Sequence, residues 1–143
     1  MSAVHHIALA CEDPIAIERW YAKHFGFRRR RVYLPGPDQV VVIGPEEGPG
    51  FELFKAQGER PSVADQPGDG PLHPGYRHLA FLVDDLDAKL AEMGDDAEVT
   101  LGPIDFGDFI PGMRTAWISD PEGNIVELNQ GYVDERDSPP LDG

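Results

Sequence analysis

A single cysteine, Cys11, is all the sulfur chemistry this chain has beyond its methionines. No intrachain disulfide can form, and zinc sites built on several thiolates are excluded. Bases are scarce as well, with 12 Lys and Arg against 26 Asp and Glu, a net charge of −14. Nucleic acid and anionic membrane surfaces need clustered cations, so neither is expected as a partner. No apolar run approaches the length of a transmembrane helix. The first residues lack the basic start and apolar core of a secretory signal, so a cytoplasmic location is expected. The shortage of bases is uneven. Residues 1–60 hold eight bases and eight acids, whereas residues 61–143 hold four bases and 18 acids. The simplest meaning of that excess is solubility, because net charge bears on solubility rather than fold.

What is present fits one domain of 143 residues, 41% of them hydrophobic, enough chain for a real core. The chain also repeats itself. His6-Ile7-Ala8-Leu9-Ala10-Cys11-Glu12-Asp13 and His78-Leu79-Ala80-Phe81-Leu82-Val83-Asp84-Asp85 are strand-like runs ending in an acidic pair, 72 residues apart. Each leads into a helix. Asp13 before Pro14 is a helix cap with a first-turn proline, and Ile15, Ile17, Trp20, Tyr21 and Phe25 form an apolar stripe that Gly26 stops. Asp85 caps the second helix, Leu86, Leu90 and Met93 line it, and Gly94 ends it.

Three short strands are expected after each helix. They run over Phe27–Leu34, Gln39–Ile43 and Gly50–Lys55 in the first copy, and Ala97–Leu101, Met113–Ser119 and Asn124–Gln130 in the second. Pro35-Gly36-Pro37, Gly44–Pro49 and Asp120-Pro121-Glu122-Gly123 are the turns. The prediction is an α+β fold: two tandem βαβββ modules forming a curved mixed sheet with a central cleft. Module 1 covers about 4–55, a Pro- and Gly-rich linker 56–74, module 2 about 75–130, and a polar tail 131–143. All belong to a single domain over residues 1–143.

Strand alternation places His6, Ala8 and Ala10 on one face, and His78, Ala80 and Leu82 on another. The alanines leave room beside each imidazole. Phe51-Glu52-Leu53 and Val126-Glu127-Leu128 each set one carboxylate between two bulky apolar residues that point the other way, into a core. A half-buried carboxylate needs a partner. Two imidazoles and two carboxylates around one divalent cation meet that need, and leave coordination positions open for chemistry. The metal ligands are therefore expected to be His6, Glu52, His78 and Glu127. A donor set without thiolate suits nickel, cobalt, zinc, manganese or iron. His5, His24 and His73 are assigned no such role. Phe54, Met113 and Trp117, with Tyr33 and Phe109, are candidates to wall the cleft. Arg114 is the one arginine expected to reach a substrate carboxylate or phosphate. The Arg28–Arg31 run reads as a solvated strand edge, and the loop Gly102–Gly112 as a lid.

These features together resemble the vicinal oxygen chelate superfamily, also called the glyoxalase/bleomycin-resistance/dioxygenase superfamily. The likeness runs over about residues 4–130. It is carried by His6-Ile7-Ala8-Leu9, by Trp20-Tyr21-Ala22-Lys23-His24-Phe25-Gly26-Phe27, by Phe51-Glu52-Leu53, by His78–Asp85, and by Asp120-Pro121-Glu122-Gly123-Asn124-Ile125-Val126-Glu127-Leu128. The resemblance implies paired βαβββ modules and, in the glyoxalase I branch, a His, Glu, His, Glu set at His6, Glu52, His78 and Glu127.

The activity it implies is of lyase or isomerase type: proton abstraction next to a carbonyl with a metal-stabilised enediolate. Glu127 would be the base, and Glu52 a ligand or second acid/base. It also implies a small-molecule substrate and a homodimer. Where bacterial glyoxalase I carries an arginine four residues after its first ligand, this chain has Ala10. Where that enzyme has an asparagine four residues after its first glutamate, this chain has Ala56. Both departures argue against a glutathione hemithioacetal as substrate. The alternatives the same family offers are a non-catalytic small-molecule or antibiotic-binding module and an extradiol-type dioxygenase.

Overall fold

The structure is a computed structural model and describes residues 3–60 and 66–141. The chain divides into two compact units. One comprises Met1–Asp65 with Ser119–Asn124, the other Gln66–Ile118 with Ile125–Gly143. The break in the chain falls inside the expected linker. Each unit carries one βαβββ module.

In the first unit the elements are β1 (His6–Cys11), α1 (Pro14–Phe25), β2 (Arg28–Leu34), β3 (Val40–Gly44) and β4 (Gly50–Lys55). The four strands form one sheet in the order β1-β4-β3-β2. β1 runs parallel to β4, with His6 beside Gly50 and Ala8 beside Glu52. β3 is antiparallel to both its neighbours. Gly50 is where β3 crowds the backbone: a Cβ there would lie 2.0 Å from the Ile43 carbonyl oxygen.

The helix begins where the sequence says it should. Asp13 Oδ1 accepts from Ala16 N at 3.0 Å, and Gly26 takes the left-handed conformation at φ 66°. Its buried face is Pro14, Ile17, Trp20, Tyr21 and His24, while Ile15 and Phe25 are only half-buried. That is the one-turn spacing of a helix packed on a sheet. The sheet residues on that side are Val41, Ile43, Phe51 and Leu53, all buried. Tyr21 meets Phe51 edge-on at 4.9 Å. Each such aliphatic side chain removed from water stabilises by roughly 1.5–3 kcal/mol.

β2 is the sheet edge and is exposed throughout. Its arginines are locally occupied. Arg29 pairs with Glu18 and donates to Gln39, Arg30 donates to the Pro45 and Gly48 carbonyls, and Arg28 lies near Glu46. A charged edge of this kind blocks strand addition.

The second unit holds β5 (Leu79–Leu82), α2 (Leu86–Met93), a 3-10 turn at Gly94–Asp96, β6 (Glu98–Asp105), β7 (Arg114–Ser119) and β8 (Ile125–Gln130). Its sheet order is β5-β8-β7-β6, and β5 is parallel to β8 with Ala80 beside Glu127. The registers of the two units therefore correspond, Ala8 with Glu52 and Ala80 with Glu127. Asp85 caps α2 through Ala88 N, and Gln130 Oε1 accepts from Leu86 N at 2.8 Å, tying the helix start to β8.

Two expectations need correction. β6 continues to Asp105, so the first four residues of the supposed lid, Gly102–Asp105, are strand. A cis Gly102-Pro103 bond lies within it, which an edge strand tolerates. The remaining loop is a compact turn closed by Phe106 N to Met113 O at 2.9 Å and Met113 N to Ile110 O at 3.0 Å. The hairpin turn Ser119–Asn124 joins β7 to β8, yet it groups with the first unit. Tyr21 Oη donates to Asp120 at 2.9 Å, Asp13 N donates to Glu122 at 3.1 Å, and Arg60 donates to Glu122 O and Asn124. Among the described residues no helix is long and apolar enough to cross a membrane.

Candidate functional site

Each unit holds a histidine–glutamate pair where the repeat predicts one. In the first, β1 supplies His6 and the adjacent parallel strand β4 supplies Glu52, two residues out of register. Their nearest atoms, His6 Nε2 and Glu52 Oε1, are 4.0 Å apart. The flanking Phe51 and Leu53 are buried on the helix side, as alternation requires. Phe54 shares the Glu52 face by alternation and is exposed.

In the second unit, His78 and Glu127 are closer. His78 Nε2 lies 3.2 Å from Glu127 Oε1. The other ring nitrogen, Nδ1, lies 2.7 Å from the carbonyl oxygen of Asp69. A carbonyl oxygen only accepts, so Nδ1 carries the hydrogen. Nε2 then faces a carboxylate oxygen, as a donor to it when the ring is an imidazolium, or with a lone pair that a cation between the two would satisfy when the ring is neutral. This ring orientation, with Nδ1–H on a backbone carbonyl, is also how metal-ligating histidines are commonly held. Glu127 is fixed in turn by Asn129, whose Nδ2 donates to Oε2 at 3.1 Å.

The Asp69 carbonyl is delivered by a tightly seated segment. Thr100 Oγ1 donates to Gly68 O, and a Cβ on Gly68 would lie 2.1 Å from the Thr100 carbonyl oxygen. Arg77 clasps the Asp69 side chain at 3.0 and 3.1 Å. Sequence reading treated 56–74 as linker, and residues 61–65 of it lie outside the described residues. Asp69 carried no signal, because a backbone carbonyl is invisible to residue type.

Trp117 of β7 is buried with its ring 6.2 Å from that of His78. Met113 is half-buried at the root of the Phe106–Met113 turn. Tyr33 is exposed on the edge strand and Phe109 is exposed at the turn.

Arg114 must be reassigned. Its guanidinium makes a two-pronged contact with Asp87 of α2 at 2.8 and 3.2 Å. Alternation along β7 puts it on the helix side with Ala116 and Ile118, opposite to Trp117. It is therefore not on the face of His78 and Glu127.

His5 also differs from expectation. It precedes β1, so strand alternation does not apply to it, and its Nδ1 lies 2.9 Å from His6 Nδ1 with the rings edge-on. It orients the His6 ring. His24 is buried in the core beside Trp20. Among the described residues, no group of three or more His, Cys, Asp or Glu side chains clusters as a metal site would. What each unit holds is a pair.

Comparison with known proteins places the chain. It is 29% identical over 132 residues to the uncharacterized protein YaeR of Escherichia coli strain K12, covering 90% of this chain and 95% of that protein. It is 25% identical to TnmS3, an antibiotic binding protein from Streptomyces sp. CB03234, with a TM-score of 0.62 over 92% of this chain and 98% of that one. It shares its fold with the trypanothione-dependent glyoxalase I of Leishmania major, at 20% identity and a TM-score of 0.65 over 92% and 88% of the two chains. The family description Glyoxalase/Bleomycin resistance protein/Dioxygenase superfamily matches residues 3–128. The chain belongs to that superfamily.

Proposed function

We propose that His6, Glu52, His78 and Glu127 are ligands of one divalent cation, and that the protein is a metal-dependent enzyme of lyase or isomerase type. The observation that carries this reading is the His78–Glu127 pair. Its Nδ1–H is committed to the Asp69 carbonyl, which holds the ring with Nε2 3.2 Å from a carboxylate oxygen, the arrangement of two neighbouring ligands when the ring is neutral. The donor set of two imidazole nitrogens and two carboxylates fits nickel, cobalt, zinc, manganese or iron. When bound, such a cation supplies Lewis-acid stabilisation to substrate oxygens.

Glu127 is assigned the proton transfer. It takes a proton from the carbon beside a substrate carbonyl and returns it to that carbon or its neighbour, so no redox partner is needed. Asn129 holds Oε2 and aims the carboxylate. Glu52 serves as ligand or second acid/base. Trp117, Met113 and Phe54 are the substrate contacts, and the substrate is a small molecule. The chain acts as a homodimer in the cytoplasm.

Equilibrium dialysis of chelator-free protein tests the ligand set. It should return one divalent ion per chain, lost in both His6→Ala and His78→Ala. A His6→Ala protein with undiminished binding would show that the pairs act separately. Glu127→Gln should keep the metal and lose proton exchange with solvent. Retained exchange in that variant sinks the assignment of the base.

A non-catalytic small-molecule-binding module is the second reading. It is supported by the likeness to an antibiotic-binding protein. Absence of divalent binding on titration selects it.

A further inference from the structure

Three buried side-chain polar atoms have no hydrogen-bond partner among the described residues: Thr115 Oγ1, Trp117 Nε1 and Asn129 Oδ1. Their residues are 1%, 7% and 4% exposed. Leaving a buried donor or acceptor unmet is costly, and native folds carry few such groups. Here three of them share one face of one sheet.

The register brings them together. β7 and β8 are neighbours, and Asp120 N donates to Asn124 O at 2.9 Å across their turn. Continued as an antiparallel ladder, that bond sets Trp117 opposite Glu127 and Thr115 opposite Asn129. The close approach of Gly131 to Met113 at the far end agrees with this register. Alternation places all four side chains on the side away from α2. The His78 ring stands 6.2 Å from that of Trp117, and the Asn129 amide nitrogen is taken by Glu127. That bond leaves the amide oxygen as the free end.

The unmet atoms specify what would satisfy them. An indole N–H only donates, a hydroxyl donates or accepts, and an amide oxygen only accepts. A ligand carbonyl beside a ligand N–H matches all three. The Glu127 carboxylate lies beside the group, and Arg114 is on the opposite face, held by Asp87. In the metal-free protein a carboxylate or phosphate there would meet the negative charge of Glu127, with Arg114 turned away from it.

We propose that Trp117 Nε1, Thr115 Oγ1 and Asn129 Oδ1 form a subsite for the neutral carboxamide group of a small molecule, an amide, lactam or imide, held beside His78 and Glu127. This rests on the reading of that pair as part of the working site and names one functional group of its substrate. The Phe106 ring stands edge-on to Trp117 at 6.3 Å.

The chain has two tryptophans, Trp20 and Trp117, so nitrogen-15 NMR of the full-length protein separates their indole N–H signals, with Trp117→Phe giving the assignment. Titration of the metal-free protein with benzamide should shift the Trp117 signal saturably and leave that of Trp20 in place, while benzoate should shift neither. Thr115→Val and Asn129→Leu, each checked for an intact thermal transition, should weaken benzamide by about 3- to 10-fold, the loss of one hydrogen bond. An equal response to benzoate, no response to benzamide, or unchanged affinity in both variants overturns the subsite. Divalent binding measured on the same sample keeps the two ideas apart. Metal bound without a benzamide response removes the subsite alone, and a benzamide response without metal removes the metal reading alone.

Discussion

The lone thiol shows how local burial overrides residue type. Cys11 is fully buried at the end of β1. Burial, with Glu122, Asp120 and Asp13 nearby, pushes its thiol up from 9.0 to about 12, so the reactive thiolate is absent at neutral pH. Native protein should resist iodoacetamide at pH 8 and become alkylated only when denatured, which mass spectrometry reads directly.

Asp120 is the other buried acid of that region. Its carboxylate accepts from Tyr21 Oη, from the Glu122 and Asn124 backbone N–H groups, and from Asn124 Nδ2. Tyr21→Phe removes one bond to a buried charged group and should cost about 2 kcal/mol in urea denaturation. Burial raises Asp120 above the usual carboxylate range despite those bonds. A raised folded value means the folded state holds the proton more tightly. Its share of stability is therefore full at low pH and is lost as pH rises through the raised value. Glu18 has the opposite sign. Its bond from Arg29 lowers it, so its share is full above its ordinary value and is lost as pH falls through the lowered one. The stability difference between wild type and Glu18→Gln should accordingly shrink on acidification, as denaturation at stepped pH will show.

At the scale of elements, the segment around Gly68 and Asp69 is the informative one. It packs on β6 through Thr100 and presents the carbonyl that sets the His78 ring. Gly68→Ala would drive a methyl group into the Thr100 carbonyl. The segment must lift, and His78 loses its partner. The expected result is at least tenfold weaker divalent binding, in line with loss of an outer-shell partner, with the global unfolding midpoint moved far less.

This element was not legible in the sequence. Its prolines and glycines mark a loop, but residue type does not report a carbonyl's direction. The helices were legible, because Asp13, Pro14 and Gly26 specify their own ends locally. The length of β6 was misread. Gly102-Pro103 is ordinarily a breaker, and only an edge position lets a strand run through it. Arg114 was misjudged because its face follows from the strand register, which carries no one-residue signature.

Over the whole molecule, the charge of −14, all of it in residues 61–143, is a penalty on compactness. Moderate salt screens that self-repulsion. The thermal midpoint should rise by a few degrees between about 10 mM and 200 mM sodium chloride at pH 7, an interval that shortens the Debye length from about 30 Å to under 10 Å. A midpoint that falls instead would mean that specific ion pairs outweigh the general repulsion.

The sequence by itself determined the order of elements, the helix caps and the repeat, in which His6 recurs as His78 and Glu52 as Glu127, because each is written in local pattern or in recurrence between the two copies. Tertiary structure decided what those residues meet. It turned His5 toward His6, placed a carbonyl on His78 and an amide on Glu127, sent Arg114 to α2, and put the Ser119–Asn124 turn with the first unit. Those outcomes depend on strand register and on backbone groups common to every residue, and side-chain identity along the chain encodes neither.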